Sequence, residues 1–214
     1  MLYKLKASNS SYWTYAYTDL SSKIKTNRCD ACGRSWIEYE LTQSDQPITF
    51  VIENHARFAD VLNCCGGYFA SEGFIISQKA LDCFIKEEVT GFSHTPVRIL
   101  REINKGQYEA VDDAVYYLLD ISGRIDVDYE KMHLRKKHVC QSCKHFDLPR
   151  QKLGISYLDY LSWNGCDINR LVLFPGHVLC TDKVLDIIRD NRLKGFEACT
   201  DNNIFRATAY FAVK

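Results

Sequence analysis

The sequence predicts an α+β fold, in which a single compact domain spanning residues 1–214 consists of two related halves. Two observations lead to this prediction. A strand-and-helix segment occurs twice along the chain, and each half also carries a C-x-x-C cysteine pair. The other apolar segments are short and rich in aromatic and β-branched residues, which favours strands. A chain of 214 residues can bury a sizeable core without disulfide bonds.

The first half is predicted to be rich in strands. Residues 2–7, 12–17, 36–41 and 48–52 have the composition of strands, and several of them alternate apolar with polar side chains. Residues 110–119 are ambiguous, because their apolar positions fit a helix while residues 115–119 would also make a strand.

The repeated segment occupies residues 74–82 and 178–186, which are 104 positions apart. The match continues at the same spacing through a Gly-Phe pair, and the second cysteine pair follows the first at a similar spacing. We interpret this as an internal duplication with halves of about 1–105 and 106–214. Each half is a strand-helix-strand unit.

Each copy of the repeat contains a short apolar strand followed by Ser77 or Thr181. These hydroxyls can accept a hydrogen bond from a free amide in the first turn, so a helix is predicted to follow each of them. Gly91 and Gly195 are expected to end the helices in a left-handed conformation. The predicted core-facing residues are Ala80, Leu81, Phe84, Ile85 and Val89 in the first copy, and Val184, Leu185, Ile188 and Leu193 in the second.

The charge of the chain is balanced, with 27 basic and 27 acidic side chains. Zero net charge removes the long-range attraction on which non-specific binding to nucleic acids or anionic membranes mostly depends. The sequence contains no apolar run of the roughly 18 to 20 residues that would span a bilayer, and the N-terminus lacks an apolar signal segment. We therefore expect a cytoplasmic protein.

Ten cysteines are unusual for such a protein, and in a reducing compartment metal binding or burial is a better explanation than disulfides. The pairs Cys29/Cys32 and Cys140/Cys143 are spaced like metal ligands. In the first pair, Gly33 follows the second cysteine and can take the positive φ that a zinc-knuckle turn requires. Together the four thiolates would form a closed, structural site for Zn²⁺.

Two other interpretations of the cysteine pairs remain open. A redox dithiol usually sits at the start of a helix, whereas Cys32 precedes a strand-like segment. Reduced pairs without a metal are the second possibility, because the stretch between Cys32 and Cys140 is far longer than in familiar zinc ribbons. Lys144 also stands where the first motif has Gly33. The nearby histidines His133, His138 and His145 could substitute as ligands.

The other residues with potential chemistry have simpler interpretations. Six further cysteines read as a turn or as small buried side chains: Cys64, Cys65, Cys83, Cys166, Cys180 and Cys199. The acidic pairs 112–113 and 126/128 are typical of a solvated face or turn, and the basic run 131–138 of a charged loop. No nucleotide-binding, metalloprotease or serine-hydrolase motif is present, so the chain is not expected to be an enzyme.

The combined pattern resembles the bacterial double CXXCG motif family, known as paralogous sets in myxobacteria. The resemblance rests on Cys29-x-x-Cys32-Gly33 with Trp36, on residues 119–124 upstream of the second pair, and on the terminal strand-helix-Gly-Phe unit. It covers the chain from about residue 29 to residue 196. The family's motif positions fall on Cys29, Cys32, Cys140 and Cys143, with Gly33 and Gly123 as backbone requirements.

The resemblance implies a cytoplasmic immunity protein that binds and neutralises a cognate toxin delivered between bacterial cells. The resemblance assigns no catalytic residues to this chain. A zinc-ribbon nucleic-acid-binding or transcription accessory protein is the alternative, suggested by the cysteine pairs and the basic run. Aromatic candidates for anchoring a protein partner are Tyr12, Trp13, Tyr157, Tyr160 and Trp163, of which about a third are expected to be exposed.

Overall fold

The computed structural model describes residues 1–7, 17–18, 24–33, 35–39, 48–53, 58–62, 74–111, 115–132, 140, 142, 157–172, 174–199 and 211–212. Within these ranges the chain forms two helices and sixteen strands in a single compact domain, which confirms the predicted α+β class. Neither described helix is long and apolar enough to cross a membrane.

The helices are α1 (Gln78–Lys86) and α2 (Asp182–Asp190). The strands of the N-terminal part are β1 (Leu2–Ala7), β2 (Tyr17–Thr18), β3 (Ile24–Arg28), β4 (Ser35–Tyr39), β5 (Ile48–Glu53), β6 (Val61–Leu62), β7 (Ile75–Ser77), β8 (Phe92–Asn104) and β9 (Gln107–Ala110). Those that follow are β10 (Tyr116–Ile121), β11 (Arg124–Val127), β12 (Leu158–Asp159), β13 (Ile168–Leu171), β14 (Phe174–Thr181), β15 (Phe196–Cys199) and β16 (Phe211–Ala212).

These strands form two large sheets and one hairpin. Sheet I has the order β12-β11-β13-β14-β1-β15-β16, and sheet II has the order β2-β5-β8-β10-β7-β6, with β9 added to β8. Strands β3 and β4 pair only with each other among the described strands. The predicted strand at residues 2–7 is confirmed as β1, and residues 48–52 lie in β5. Of the predicted strand 36–41, residues 36–39 lie in β4 and residues 40–41 lie outside the described residues.

The last residues of two other predicted segments lie in strands. Of residues 12–17, only Tyr17 is among the described residues, and it begins β2. The ambiguous segment 110–119 ends in a strand, because residues 116–119 belong to β10, which pairs with β7 and β8. Strands β7 and β8 form backbone hydrogen bonds with β10 on its two sides, and a helix could not make those hydrogen bonds.

Both helices bury their apolar faces in one core that also receives side chains from the two sheets. From α1 the core takes Ala80, Leu81 and Phe84, and from α2 it takes Val184, Ile187 and Ile188. Two smaller clusters cover the other face of each sheet. The helix-face prediction is wrong at Ile85, which is 53% exposed, and it omitted Ile187, which is buried.

The helices begin at the predicted residues but not by the same contacts. Ser77 Oγ accepts a hydrogen bond from the Ala80 amide (3.2 Å), as predicted. Thr181 makes no such bond, and its hydroxyl instead donates to Asp167 Oδ1 (3.1 Å). The second helix start is therefore stabilised through a tertiary contact.

The left-handed residues that end the helices are Glu88 (φ 51°) and Arg192 (φ 52°). The predicted residues, Gly91 and Gly195, do have positive φ (98° and 89°), but they lie three positions later. Glycine is needed at these positions because there is no room for a side chain, as well as for the backbone conformation. A Cβ on Gly91, for example, would overlap the Ile168 carbonyl oxygen.

The two repeats have the same strand order. In sheet II the order β8-β10-β7-β6 corresponds to β15-β1-β14-β13 in sheet I, with antiparallel pairing throughout. The N-terminal strand β1 thus occupies in the second repeat the place that β10 occupies in the first. The predicted limits of the halves, near residue 105, stay a prediction.

Two tyrosines show how closely β1 and β10 correspond. Tyr117 pairs with Ile76, and its hydroxyl donates to Gln78 Oε1 at the start of α1 (2.5 Å). Tyr3 pairs with Cys180, and its hydroxyl donates to Asp182 Oδ1 at the start of α2 (2.7 Å). The accepting residues are again 104 positions apart, so the duplication extends to side-chain contacts.

Asp60 connects the first repeat to the second. Its Oδ1 accepts from the Ser77 hydroxyl at the start of α1 (2.8 Å), and its Oδ2 accepts from the Lys194 amide beyond α2 (2.6 Å). Its backbone oxygen also accepts from the Ser77 amide (3.0 Å).

Asp167 makes the reciprocal connection. It accepts from the Thr181 hydroxyl at the start of α2, and from the amide and hydroxyl of Thr90 beyond α1 (each 3.0 Å). Lys183 adds an ion pair at 3.3 Å. Each repeat therefore fixes its own helix start to the segment that leaves the helix of the other repeat.

We predict that Asp167→Asn destabilises the protein by about 1 to 3 kcal/mol, because the donors from Thr90, Thr181 and Lys183 would lose a charged acceptor. Burial alone raises the pKa of Asp167, but hydrogen bonds from Thr90, Lys183 and Thr181 outweigh it and hold the pKa below the ordinary 3.8. Its contribution to stability is therefore present above about pH 4 and is lost as the pH falls through the lower, folded-state value.

Urea unfolding between pH 7 and pH 2.5 measures this effect. Asp190→Asn is the matched control, since Asp190 is 66% exposed in a surface ion pair. Equal midpoints for the two variants at pH 7 would contradict the role given to Asp167.

We also predict that Gly123→Ala destabilises the protein by more than about 2 kcal/mol, because its Cβ would overlap the Ile168 carbonyl oxygen and lie 2.9 Å from Asn169 Oδ1. Gly165→Ala is the control. Gly165 has a positive φ of 79° with no atom within 4 Å of the added Cβ, so only the conformational cost of about 1 kcal/mol should appear. Thermal unfolding ranks the two variants, and a Gly123→Ala midpoint at or above that of the control would disprove the prediction.

Candidate metal centre

The first cysteine pair lies in the turn of the β3–β4 hairpin. Arg28 ends β3 and pairs with Ser35 of β4, so Cys29 through Gly33 belong to the connection between these strands. The Gly33 amide donates to the Cys29 carbonyl oxygen (2.7 Å), and Gly33 has φ 71°. This is the tight, glycine-closed turn that the zinc-knuckle interpretation predicts.

The fold brings Cys140 to this turn from a distant part of the sequence. Cys140 follows Cys29 by 111 residues, yet the two Sγ atoms lie 3.7 Å apart. The Sγ atoms of Cys29, Cys32 and Cys140 all lie within 4.8 Å of one another, so these three residues could hold a metal ion.

The spacing fits a tetrahedral thiolate site. With metal–sulfur bonds of about 2.3 Å, the sulfurs of a tetrahedron are separated by about 3.8 Å. The observed distance between Cys29 Sγ and Cys140 Sγ is 3.7 Å. Three thiolates can therefore bind one ion with little rearrangement, which leaves one tetrahedral position for a further ligand.

The three thiols differ in exposure. Cys29 is buried, Cys140 is half-buried and Cys32 is exposed. An ion held here would be anchored on the protein side by Cys29 and reached from solvent past Cys32. Deprotonated sulfurs bind metal, so such a site releases protons on loading and weakens as the pH falls.

The fourth predicted ligand, Cys143, lies outside the described residues. The three histidines considered as substitutes, His133, His138 and His145, lie outside them as well. The structure thus brings three of the four predicted ligands together and leaves the fourth position as a prediction.

Arg28 is a neighbour of the site that the sequence did not single out. Its Nη2 lies 3.8 Å from the position of a Cβ on Gly33, above the knuckle turn. The signal was available in the sequence, as a basic residue directly before the first cysteine.

The other described cysteines do not belong to this cluster. Cys180 and Cys199 are buried, as predicted, and burial raises the pKa of the Cys180 thiol. Cys83 and Cys166 are only half-buried, so the prediction of full burial does not hold for them. Cys64 and Cys65 lie outside the described residues.

Asp128 caps a turn, as expected for the acidic pair 126/128. Hydrogen bonds from the Lys131 amide and side chain hold the pKa of its carboxyl below the ordinary value. The ion pair between Lys131 and Asp128 (3.0 Å) involves the first residue of the basic run. Residues 133–138 of that run, and the acidic pair 112–113, lie outside the described residues.

Comparison with known proteins adds no assignment. No protein-family model matches the chain, and no curated protein is significantly similar to it.

We predict that the purified protein holds one metal ion per chain, and that Cys29→Ser and Cys140→Ser each lose it and unfold at a lower temperature. Losing a closed thiolate site should cost about 3 kcal/mol or more, since the energy of metal binding contributes to folding. Elemental analysis and thermal unfolding measure both effects. Cys143→Ser, examined in the same way, tests the predicted fourth ligand.

Cys166→Ser is the control for this series, because Cys166 is half-buried and lies outside the cluster. It should keep its metal. The metal site would be refuted if Cys140→Ser retained the metal content and stability of the unmodified protein.

Proposed function

We propose that this chain is a cytoplasmic immunity protein, which binds a cognate bacterial toxin in a stoichiometric complex and thereby neutralises it. We also propose that Cys29, Cys32, Cys140 and Cys143 hold a structural zinc ion. The observation that carries the proposal is the convergence of Cys29, Cys32 and Cys140, because the two cysteine pairs are what the chain has most specifically in common with the double CXXCG motif family.

The remaining motif glycines support the same resemblance. Gly33 has the positive φ that closes the knuckle, and Gly123 lies where a side chain would collide with the backbone at Ile168. Both positions therefore need glycine for physical reasons. A motif of which three cysteines meet, and whose glycines are required by conformation at Gly33 and by space at Gly123, is more specific than two chance C-x-x-C pairs.

Zinc is the metal we favour, because soft thiolates in tetrahedral geometry select it and a closed site needs no redox activity. With Cys143 as the fourth ligand, every coordination position would belong to the protein. Such a site has no open position for water or substrate, so its contribution is to hold the β3–β4 hairpin to the segment at Cys140.

Neutralisation by binding requires a protein interface rather than a catalytic centre. A stable complex typically buries about 1,200 to 2,000 Å² and depends on a few aromatic or arginine anchors. Of the predicted anchors, Tyr160 is 49% exposed, while Tyr157 and Trp163 pack against an apolar cluster. Tyr12 and Trp13 lie outside the described residues.

The nucleic-acid-binding alternative depends on the basic run at residues 131–138. Its first residue, Lys131, pairs with Asp128 and is thereby partly neutralised. A chain with zero net charge would also need a strong local patch to compete for phosphates. We therefore rank this alternative second.

Coexpression tests the proposal directly. The probe is the toxic domain of the secreted protein encoded beside this chain's gene, produced with and without the chain in a sensitive bacterial host. We expect growth to be rescued and a 1:1 complex to be recovered by gel filtration. Cys166→Ser should rescue as well as the unmodified chain, because it leaves the predicted zinc ligands intact.

A chain that neither binds this domain nor rescues growth would contradict the immunity role. Binding to a random-sequence DNA or RNA duplex at about 150 mM salt, weakening steeply as salt rises, would instead support the alternative.

A further inference from the structure

The outer strands of sheet I carry charges on one face. On β11, Ile125 and Val127 are buried against an apolar cluster, while Arg124 and Asp126 alternate with them and point to the opposite side. On β13, Arg170 is likewise partly exposed between buried neighbours. This face lies at the end of the sheet, in the order β12-β11-β13.

Like charges are paired across these strands. Asp126 of β11 stands directly opposite Asp159 of β12, and Arg124 of β11 stands opposite Arg170 of β13. Side chains in register share one face of a sheet, and like charges directly opposite are unfavourable. The acidic pair and the basic pair therefore lie side by side on this face, two residues apart along β11.

The described part of the chain does not neutralise these charges by ion pairs. Neither arginine has an ion pair with a described carboxylate. The carboxylates accept from neutral donors: Asp126 from the Val127 amide and the Tyr129 hydroxyl, and Asp159 from the Leu161 amide. Both pairs therefore keep their charge available to an outside partner.

Exposed apolar side chains flank the charges. Leu161, in the turn after β12, is 98% exposed, and Val172, directly after β13, is 49% exposed. Hydrogen bonds to β11 hold the segments that carry these two side chains. The Val172 amide donates to the Ile125 carbonyl oxygen (2.9 Å), and the hydroxyl of Ser162, which follows Leu161, accepts from the Asp126 amide (2.8 Å). A protruding leucine on a fixed turn is suited to contact another protein.

We propose that this face binds a second copy of the chain, forming a two-fold symmetric dimer. The face consists of Arg124, Asp126, Asp159, Leu161, Arg170 and Val172. It has two positive and two negative charges in separate rows, so it is complementary to itself. A two-fold axis that lies in the interface, runs across the strands and passes between Arg124 and Asp126 sets Arg124 of each copy over Asp126 of the other, with Arg170 and Asp159 one strand to either side.

The size of the face sets the expected strength. Six residues per copy cover less than the roughly 800 Å² per partner of a standard interface, so the dimer should be weak and concentration-dependent. Its charge pairs remain near solvent and should be screened by salt. Association is therefore expected in the micromolar range at low salt and should weaken in 1 M NaCl.

Sedimentation of the full chain tests the proposal. Charge reversal in the double variants R124D/R170D and D126K/D159K should each weaken dimerisation at least about tenfold, because like rows would then face each other. Mixing the two variants should restore a 1:1 heterodimer, since each reversed row now meets its complement. Circular dichroism and thermal unfolding show whether each variant is folded.

A milder pair of variants avoids changing the sheet. Leu161→Gln should weaken the dimer, whereas Ile85→Gln should not, because Ile85, which is also exposed (53%), belongs to helix α1 and not to this face. The proposal is overturned if the unmodified chain is monomeric at every concentration up to about 0.5 mM, if the dimer is insensitive to Leu161→Gln and to charge reversal, or if the folded charge variants fail to associate when mixed.

Discussion

The structure depends on two carboxylates that connect the repeats. Asp60 and Asp167 each bind the hydroxyl residue at the start of their own helix and the backbone beyond the helix of the other repeat. Because one side chain makes both contacts, neither helix can shift against the other without breaking several hydrogen bonds at once. Gly91 and Gly195 permit this closeness, since each faces the other repeat at a distance that leaves no room for a side chain.

The cysteine cluster lies at the turn of the β3–β4 hairpin and bears on the stability of that hairpin. That hairpin belongs to neither large sheet, and two strands alone are marginally stable in water. Cys140, from the second half of the sequence, lies beside the turn of this hairpin. A metal bridging the three cysteines would add bonds between the hairpin and that segment, and this suits a structural role better than a catalytic one.

The sequence revealed features that repeat at a constant spacing or depend on local chemistry. Helices α1 and α2, strand β1 and the knuckle at Cys29 were all predicted, because apolar periodicity, hydroxyl caps and glycine preferences act within a few residues. The carboxylates Asp60 and Asp167 were missed. Asp60 and Asp167 are separated by three more positions than the two helices are, so an alignment of the two helices does not align the two aspartates. An isolated aspartate also has no local sequence pattern that would reveal its role.

The sequence by itself determined the α+β class, the duplication and the identity of three clustered thiols among ten cysteines. Only the tertiary structure decided that β1 completes the second repeat in the place that β10 takes in the first, and that Thr181 is held by Asp167 instead of capping its own helix. The physical reason is the range of the interactions. Caps and periodicity are local, whereas strand insertion and reciprocal hydrogen bonds join residues that become neighbours only when the core closes.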